Sequence, residues 1–93
     1  MIKHIVMWKL KNDADAPHFK AQLDTCSELV AGMRCFEVAI RTPTREANCD
    51  VVLYSEFDDA DALAAYQNHP HHKQIAAGLG ALRDTRCVLD YDI

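Results

Sequence analysis

No apolar run in the sequence approaches the length of about 18 residues that a membrane-spanning helix needs. Positive charge is also scarce. Ten Lys and Arg stand against fourteen Asp and Glu, for a net charge of −4. With no basic run, the chain is not expected to have nucleic acid as its main partner. Glycine and proline number three each, too few for a flexible linker or a low-complexity tract. The four cysteines, Cys26, Cys35, Cys49 and Cys87, form no CxxC pair, which argues against a zinc or redox motif. Cys26, Cys35 and Cys87 fall within apolar patterns and are expected to be buried free thiols. The opening Met1-Ile2-Lys3-His4 enters a strand pattern directly, without a signal peptide's apolar region or cleavage site. A reducing cytoplasm is the compartment this implies.

What is present is enough for one domain over residues 1–93. Residues 2–10 alternate, with Ile2, His4, Val6, Trp8 and Leu10 on one face and Lys3, Ile5, Met7 and Lys9 on the other. His4 interrupts an otherwise apolar side. Ala16, Phe19, Leu23, Cys26, Val30 and Met33 then recur at steps of three and four. They predict a helix of about four to five turns, with Asp15 as its N-cap and Gly32 at its end. Residues 35–41 and 50–57 read as strands separated by a loop that Pro43 punctuates. Asp58 or Asp59 caps a short helix over Ala60–Gln67, and a last strand covers residues 86–92.

Between those lies Tyr66-Gln67-Asn68-His69-Pro70-His71-His72-Lys73. The residue before a proline is pushed out of the helical region, so the first helix should stop by His69. Proline suits the first turn of the next helix, which should run to about Leu82. Tyr66 and His72 then flank a rigid corner and can face one cavity. An imidazole titrating near neutrality could exchange protons with a substrate there. The plain alternative makes His72 a satisfied core histidine, His69 a helix cap, Tyr66 core and His71 solvated. Trp8 and Phe19 read as core or pocket lining. His69, His71 and His72 do not complete a metal set, because the corner spoils their spacing and no Cys or carboxylate joins them.

The element order β-α-β-β-α-β predicts an α+β, ferredoxin-like fold with a four-stranded antiparallel sheet. One sheet face has no cover within the chain, which predicts a homodimer through Ile5, Met7, Leu53 or their strand neighbours.

The Lys3-His4-Ile5-Val6 opening, Trp8-Lys9-Leu10-Lys11, the Tyr66-x-x-His69-Pro70-x-His72 element and a last strand ending in Asp90-Tyr91 resemble the stress-responsive dimeric α/β-barrel (Dabb) family over the whole chain. The resemblance implies a dimer whose two sheets pack into a barrel. Its best-understood kind of member is a plant polyketide cyclase, which closes a poly-β-ketone to olivetolic acid by aldol condensation without a cofactor. Carried over, the catalytic histidine falls on His72, its tyrosine partner on Tyr66 and the strand-one histidine on His4. The cyclase's helix-one tyrosine falls on Cys26, a departure that bears on the substrate. Two functions follow as expectations. One is a cofactor-free lyase or isomerase acting on a small apolar carbonyl compound. The other is a non-catalytic dimer that binds a small ligand.

Overall fold

The computed structural model describes all 93 residues. Its strands are β1 (Ile2–Leu10), β2 (Met33–Ile40), β3 (Val51–Phe57) and β4 (Arg83–Asp92). Its helices are α1 (Ala16–Asp24), α2 (Ala60–Asn68) and α3 (Pro70–Gly80), with one 3-10 turn at Asp13–Asp15. The sheet is antiparallel throughout, in the order β2-β3-β1-β4. It is an open ferredoxin-like sheet, with β2 and β4 as its edges. No helix is long and apolar enough to cross a membrane.

Pairing register decides which side of each strand is inner. His4 opposes Ser55, Val6 opposes Leu53, and Trp8 opposes Val51. All six are buried under the helices. The core forms two clusters. The larger packs Val6, Trp8, Leu10, Val51 and Leu53 against Phe19 and Leu23 of α1 and Leu79 of α3. The smaller gathers Cys26, Phe57, Leu63 and Tyr66, and Phe36 and Ile75 pack against both clusters. Trp8 meets Phe19 edge to face with 5.1 Å between ring centroids, a geometry that aromatic pairs favour.

Several expectations are corrected. Leu53 does not lie on the uncovered face: it is 2% exposed and points into the core. The outer neighbours on β3 are Val52 and Tyr54, which oppose Met7 and Ile5. The first helix is shorter than its apolar repeat implied. It ends at Asp24, and the chain turns through residues 25–32 before β2. Thr25 Oγ1 donates to the Gln22 carbonyl at 2.6 Å, and Cys26 N donates to Leu23 O, three residues back. A hydroxyl competing for backbone partners at the helix end explains the early stop. Cys26 nonetheless remains fully buried. Asp15 makes no side-chain cap; Asn12 Oδ1 accepts from Ala14 N and caps the 3-10 turn instead. Asp59 does cap α2, accepting from Ala62 N at 2.9 Å. Gly32 adopts φ +90°, and a Cβ there would sit 2.8 Å from the Ala62 side chain. Both facts require glycine. β4 starts three residues early, at Arg83.

All four cysteines are free, but Cys35 is only half-buried and Cys87 is exposed. Both sit on the outer face, opposite Glu56 and Met7 respectively. That face also carries Met7 at 42% exposure and Leu89 at 63%.

One buried charge locks β3 to β1 at the sheet's end. Asp50 is 3% exposed. Its carboxylate accepts from Leu10 N at 2.8 Å and Lys9 Nζ at 3.3 Å, and pairs with Arg41 Nε at 3.4 Å. Burial alone would raise its pKa. The Leu10 and Lys9 hydrogen bonds and the nearby charges of Lys9 and Arg41 outweigh this and hold it below the usual carboxylate range.

Two outcomes are expected. Asp50→Ala should cost about 2–3 kcal/mol in denaturant unfolding, since it orphans a buried N–H, unpairs Lys9 and leaves Arg41 with Asp13 alone. The carboxylate's contribution is full above its ordinary pKa and is lost as pH falls through the depressed folded value, so the gap between wild type and variant should narrow in acid. Thiol titration should find four groups in denaturant, with Cys26 the slowest in the native protein. It is buried, and burial pushes its pKa up. Equal native rates for Cys26 and Cys35 would contradict this packing.

Candidate functional site

The corner forms as the proline dictates. His69 is extended, at φ −62° and ψ 134°, and serves as both the end of α2 and the N-cap of α3. Its Nδ1 accepts from His71 N at 3.1 Å, so His69 is a structural cap. His71 is not simply solvated. Its Nε2 lies 2.8 Å from Thr25 Oγ1. That hydroxyl already donates to Gln22, so His71 is the donor, and it ties α3 to the turn after α1.

Tyr66 occupies the last turn of α2 and is completely buried. Its ring packs against Phe57 at 5.2 Å, Phe36 at 6.2 Å and His72 at 4.5 Å between centroids. The ring has company, but its hydroxyl has none: Tyr66 Oη is buried without a hydrogen-bond partner. Such a group costs on the order of 1–3 kcal/mol. Burial, and secondarily the neighbouring Cys26, pushes the phenol well above its ordinary pKa. It therefore stays protonated as a donor.

His72 stands in the first turn of α3. Its Nδ1 lies 3.1 Å from the Gln67 carbonyl, back across the corner. A carbonyl only accepts, so Nδ1 carries the proton and Nε2 keeps its lone pair. Burial lowers the pKa of this imidazole. The Gln67 carbonyl raises it, and the charges of His4, Arg86 and His69 lower it further, for a net depression. Neutral imidazole is therefore the form present at pH 7.

His4 comes from the sheet. It is 3% exposed on the inner face of β1, edge-on to Tyr66 at 6.5 Å between centroids. Cross-strand pairing sets Asp90 of β4 directly opposite, and its carboxylate makes a short contact with His4 Nδ1. A carboxylate on one ring nitrogen orients the imidazole and leaves Nε2 as the other polar atom. Asp90 belongs to the motif noted in the sequence, where no local pattern assigns it a role. Strand alternation puts Arg86, Val88 and Asp90 on one face, and only the β1–β4 register brings that face to His4.

His4, Tyr66 and His72 all line one cavity of about 80 Å³ between the inner sheet face and α3. It lies at the seam of the two core clusters, with Val6, Trp8, Leu53, Ile75 and Leu79 as apolar walls. Arg83 and Arg86 complete the lining and were not anticipated. The cavity has room for only about three waters, at about 30 Å³ each. No group of three His, Cys, Asp or Glu side chains is disposed to hold a metal ion.

Comparison with known proteins agrees with this architecture. An uncharacterized protein of Streptomyces coelicolor is 32% identical over 99 aligned positions, covering 99% of each chain. A dimeric protein of unknown function and ferredoxin-like fold from Bacteroides fragilis superposes with a TM-score of 0.82 at 28% identity, over 99% of this chain and 95% of that one. A Dabb family protein from Mesorhizobium loti, also ferredoxin-like, gives 0.81 at 21% identity over the same shares. The profile of the Stress responsive A/B Barrel Domain matches residues 2–93. With the fold, the Tyr66–Pro70–His72 corner and these similarities together, the chain belongs to the stress responsive A/B barrel (Dabb) family.

Proposed function

We propose that this protein is a homodimeric, cofactor-free catalyst of proton transfer beside a carbonyl, acting as a lyase, cyclase or isomerase on a small enolisable molecule. The observation that carries the proposal is the buried, unpartnered Tyr66 hydroxyl in a cavity it shares with the His72 ring. A substrate oxygen in that cavity would supply the partner the hydroxyl lacks.

The chemistry follows from the two side chains. His72 Nε2 takes a proton from the carbon next to the carbonyl. The C–H electron pair moves to the carbonyl oxygen, giving an enolate that accepts from Tyr66 O–H. The enolate then follows one of two routes. It takes the proton back from the His72 imidazolium, at the same carbon or at a conjugated one. Or its carbon attacks a second carbonyl in the same molecule, whose π pair moves to oxygen, and the resulting alkoxide takes the imidazolium proton. Either route returns neutral His72. Tyr66 suits the donor role because its raised pKa keeps it protonated. His72 suits the base role because its tautomer leaves Nε2 free. Asp90 acts through His4 as a positioning residue.

Dimerisation rests on the outer sheet face. Ile5, Met7, Val52, Cys87 and Leu89 make an apolar surface that nothing in the chain covers. The Bacteroides fragilis relative is dimeric. A second copy over this face would close two open sheets into a barrel. Four unpaired thiols fit a reducing compartment such as the cytoplasm.

Catalysis is checked by exchange of the α-protons of methyl acetoacetate into D2O, followed by proton NMR. His72→Ala should abolish exchange above the buffer rate while the melting temperature holds within a few degrees. Tyr66→Phe should slow it roughly 10²–10³-fold, as loss of one enolate donor does. The acid limb of kcat/KM should fall only below the ordinary histidine pKa of about 6.5. If both variants chiefly lower the melting temperature and wild type exchanges nothing, the cavity serves ligand binding alone.

The dimer is checked by light scattering, which should report twice the 10.5 kDa chain mass. Met7→Glu combined with Leu89→Lys should shift the mass to that of one chain; an unchanged dimer would place the interface elsewhere.

A further inference from the structure

Two arginines of the cavity are unaccounted for by the proton-transfer chemistry. Arg83 and Arg86 sit on the exposed edge strand β4, on its inner face, opposite Leu10 and Trp8. Both line the cavity. Neither has a carboxylate within ion-pair distance, whereas Arg34 pairs with Asp58 and Arg41 with Asp13 and Asp50. The nearest acid on the same strand face, Asp90, is engaged by His4. A chain of net charge −4 thus keeps two unpaired cations at the mouth of a histidine-lined cavity. They are also within electrostatic reach of the interior, since the charge of Arg86 helps to hold the His72 pKa down.

We propose that the ligand of this cavity is an anion: a small β-keto carboxylate or similar acid whose carboxylate is held by Arg83 and Arg86 at the mouth while its carbonyl reaches Tyr66 and His72 inside. The proposal rests on the proton-transfer reading for the inner end of the ligand and adds the chemistry of its outer end. Guanidinium groups offer paired N–H donors in a fork that matches a carboxylate, and two of them on one strand face make a double clamp. The inner cavity admits only a few atoms, so a charged end must lie at the rim, where the arginines are. This replaces the wholly apolar substrate expected from the sequence with an amphipathic one. A carboxylate there would also offset the cationic field on His72, making the imidazole a stronger base when the ligand is bound.

The test is equilibrium binding to the full-length protein by isothermal titration calorimetry, with acetoacetate and its uncharged methyl ester as probes. The acid should bind wild type about tenfold or more tightly than the ester. The double substitution Arg83→Gln with Arg86→Gln should erase that preference by weakening the acid alone. Arg86→Lys should retain part of it, and Arg45→Gln, in the loop between β2 and β3 and outside the cavity lining, should leave it intact. Equal affinities in wild type would overturn the proposal, as would absence of saturable acetoacetate binding or equal weakening of acid and ester in the double variant. Its failure is separable from that of the catalytic reading. Catalysed exchange of the ester without acid preference removes the anion clamp alone. Acid preference lost on arginine substitution, without exchange, upholds the clamp and removes catalysis.

Discussion

The His69–Pro70 bond is the constraint on which the site depends. Proline denies helical conformation to His69, so one helical segment becomes two. Without that break, Tyr66 and His72 would lie six residues apart on one helix, about 120° apart around its axis at 100° per residue and nearly two turns apart along it, on different faces. The corner folds them together, with 4.5 Å between ring centroids. It also exposes the Gln67 carbonyl, which an unbroken helix would have engaged, and that carbonyl selects the His72 tautomer. One backbone restriction therefore sets position, orientation and protonation at once.

The sheet supplies the second half of the site by strict alternation. A one-residue change of face separates Leu53, in the core, from Val52, on the uncovered side. The same parity sends His4, Arg86 and Asp90 inward, and Met7, Cys87 and Leu89 outward. β4 differs from its neighbours because no helix covers it: every residue in it is exposed. Its inner face is consequently wet enough to carry Arg86 and Asp90 as charges, while β1 beside it holds His4 almost fully buried. The boundary between a dry strand and a wet one is where the cavity opens.

Polar groups are treated differently in the two buried places. At Asp50 both carboxylate oxygens are engaged, by one backbone N–H and two cations, and the result is a rigid structural lock. At Tyr66 the hydroxyl is left without a partner inside an otherwise well-packed aromatic cluster. A fold that satisfies one buried polar group so fully and leaves another unsatisfied beside a cavity keeps that second group for something outside the chain.

The sequence by itself determined the element order, the ferredoxin-like fold, the break at Pro70 and the pairing of Tyr66 with His72 across it. These follow from local rules: alternation, helical spacing, and the steric effect of proline on its predecessor. It misjudged the length of α1, because Cys26 and Val30 continue an apolar repeat through a turn that Thr25 had already begun. Only the tertiary structure decided that Asp90 meets His4, that Arg83 and Arg86 border the cavity, and that Leu53 faces inward while Cys87 does not. Each of those depends on which residue lies opposite which across β1, β3 and β4. That register joins positions as far apart in the chain as Ile2 and Asp92, and no local pattern encodes it.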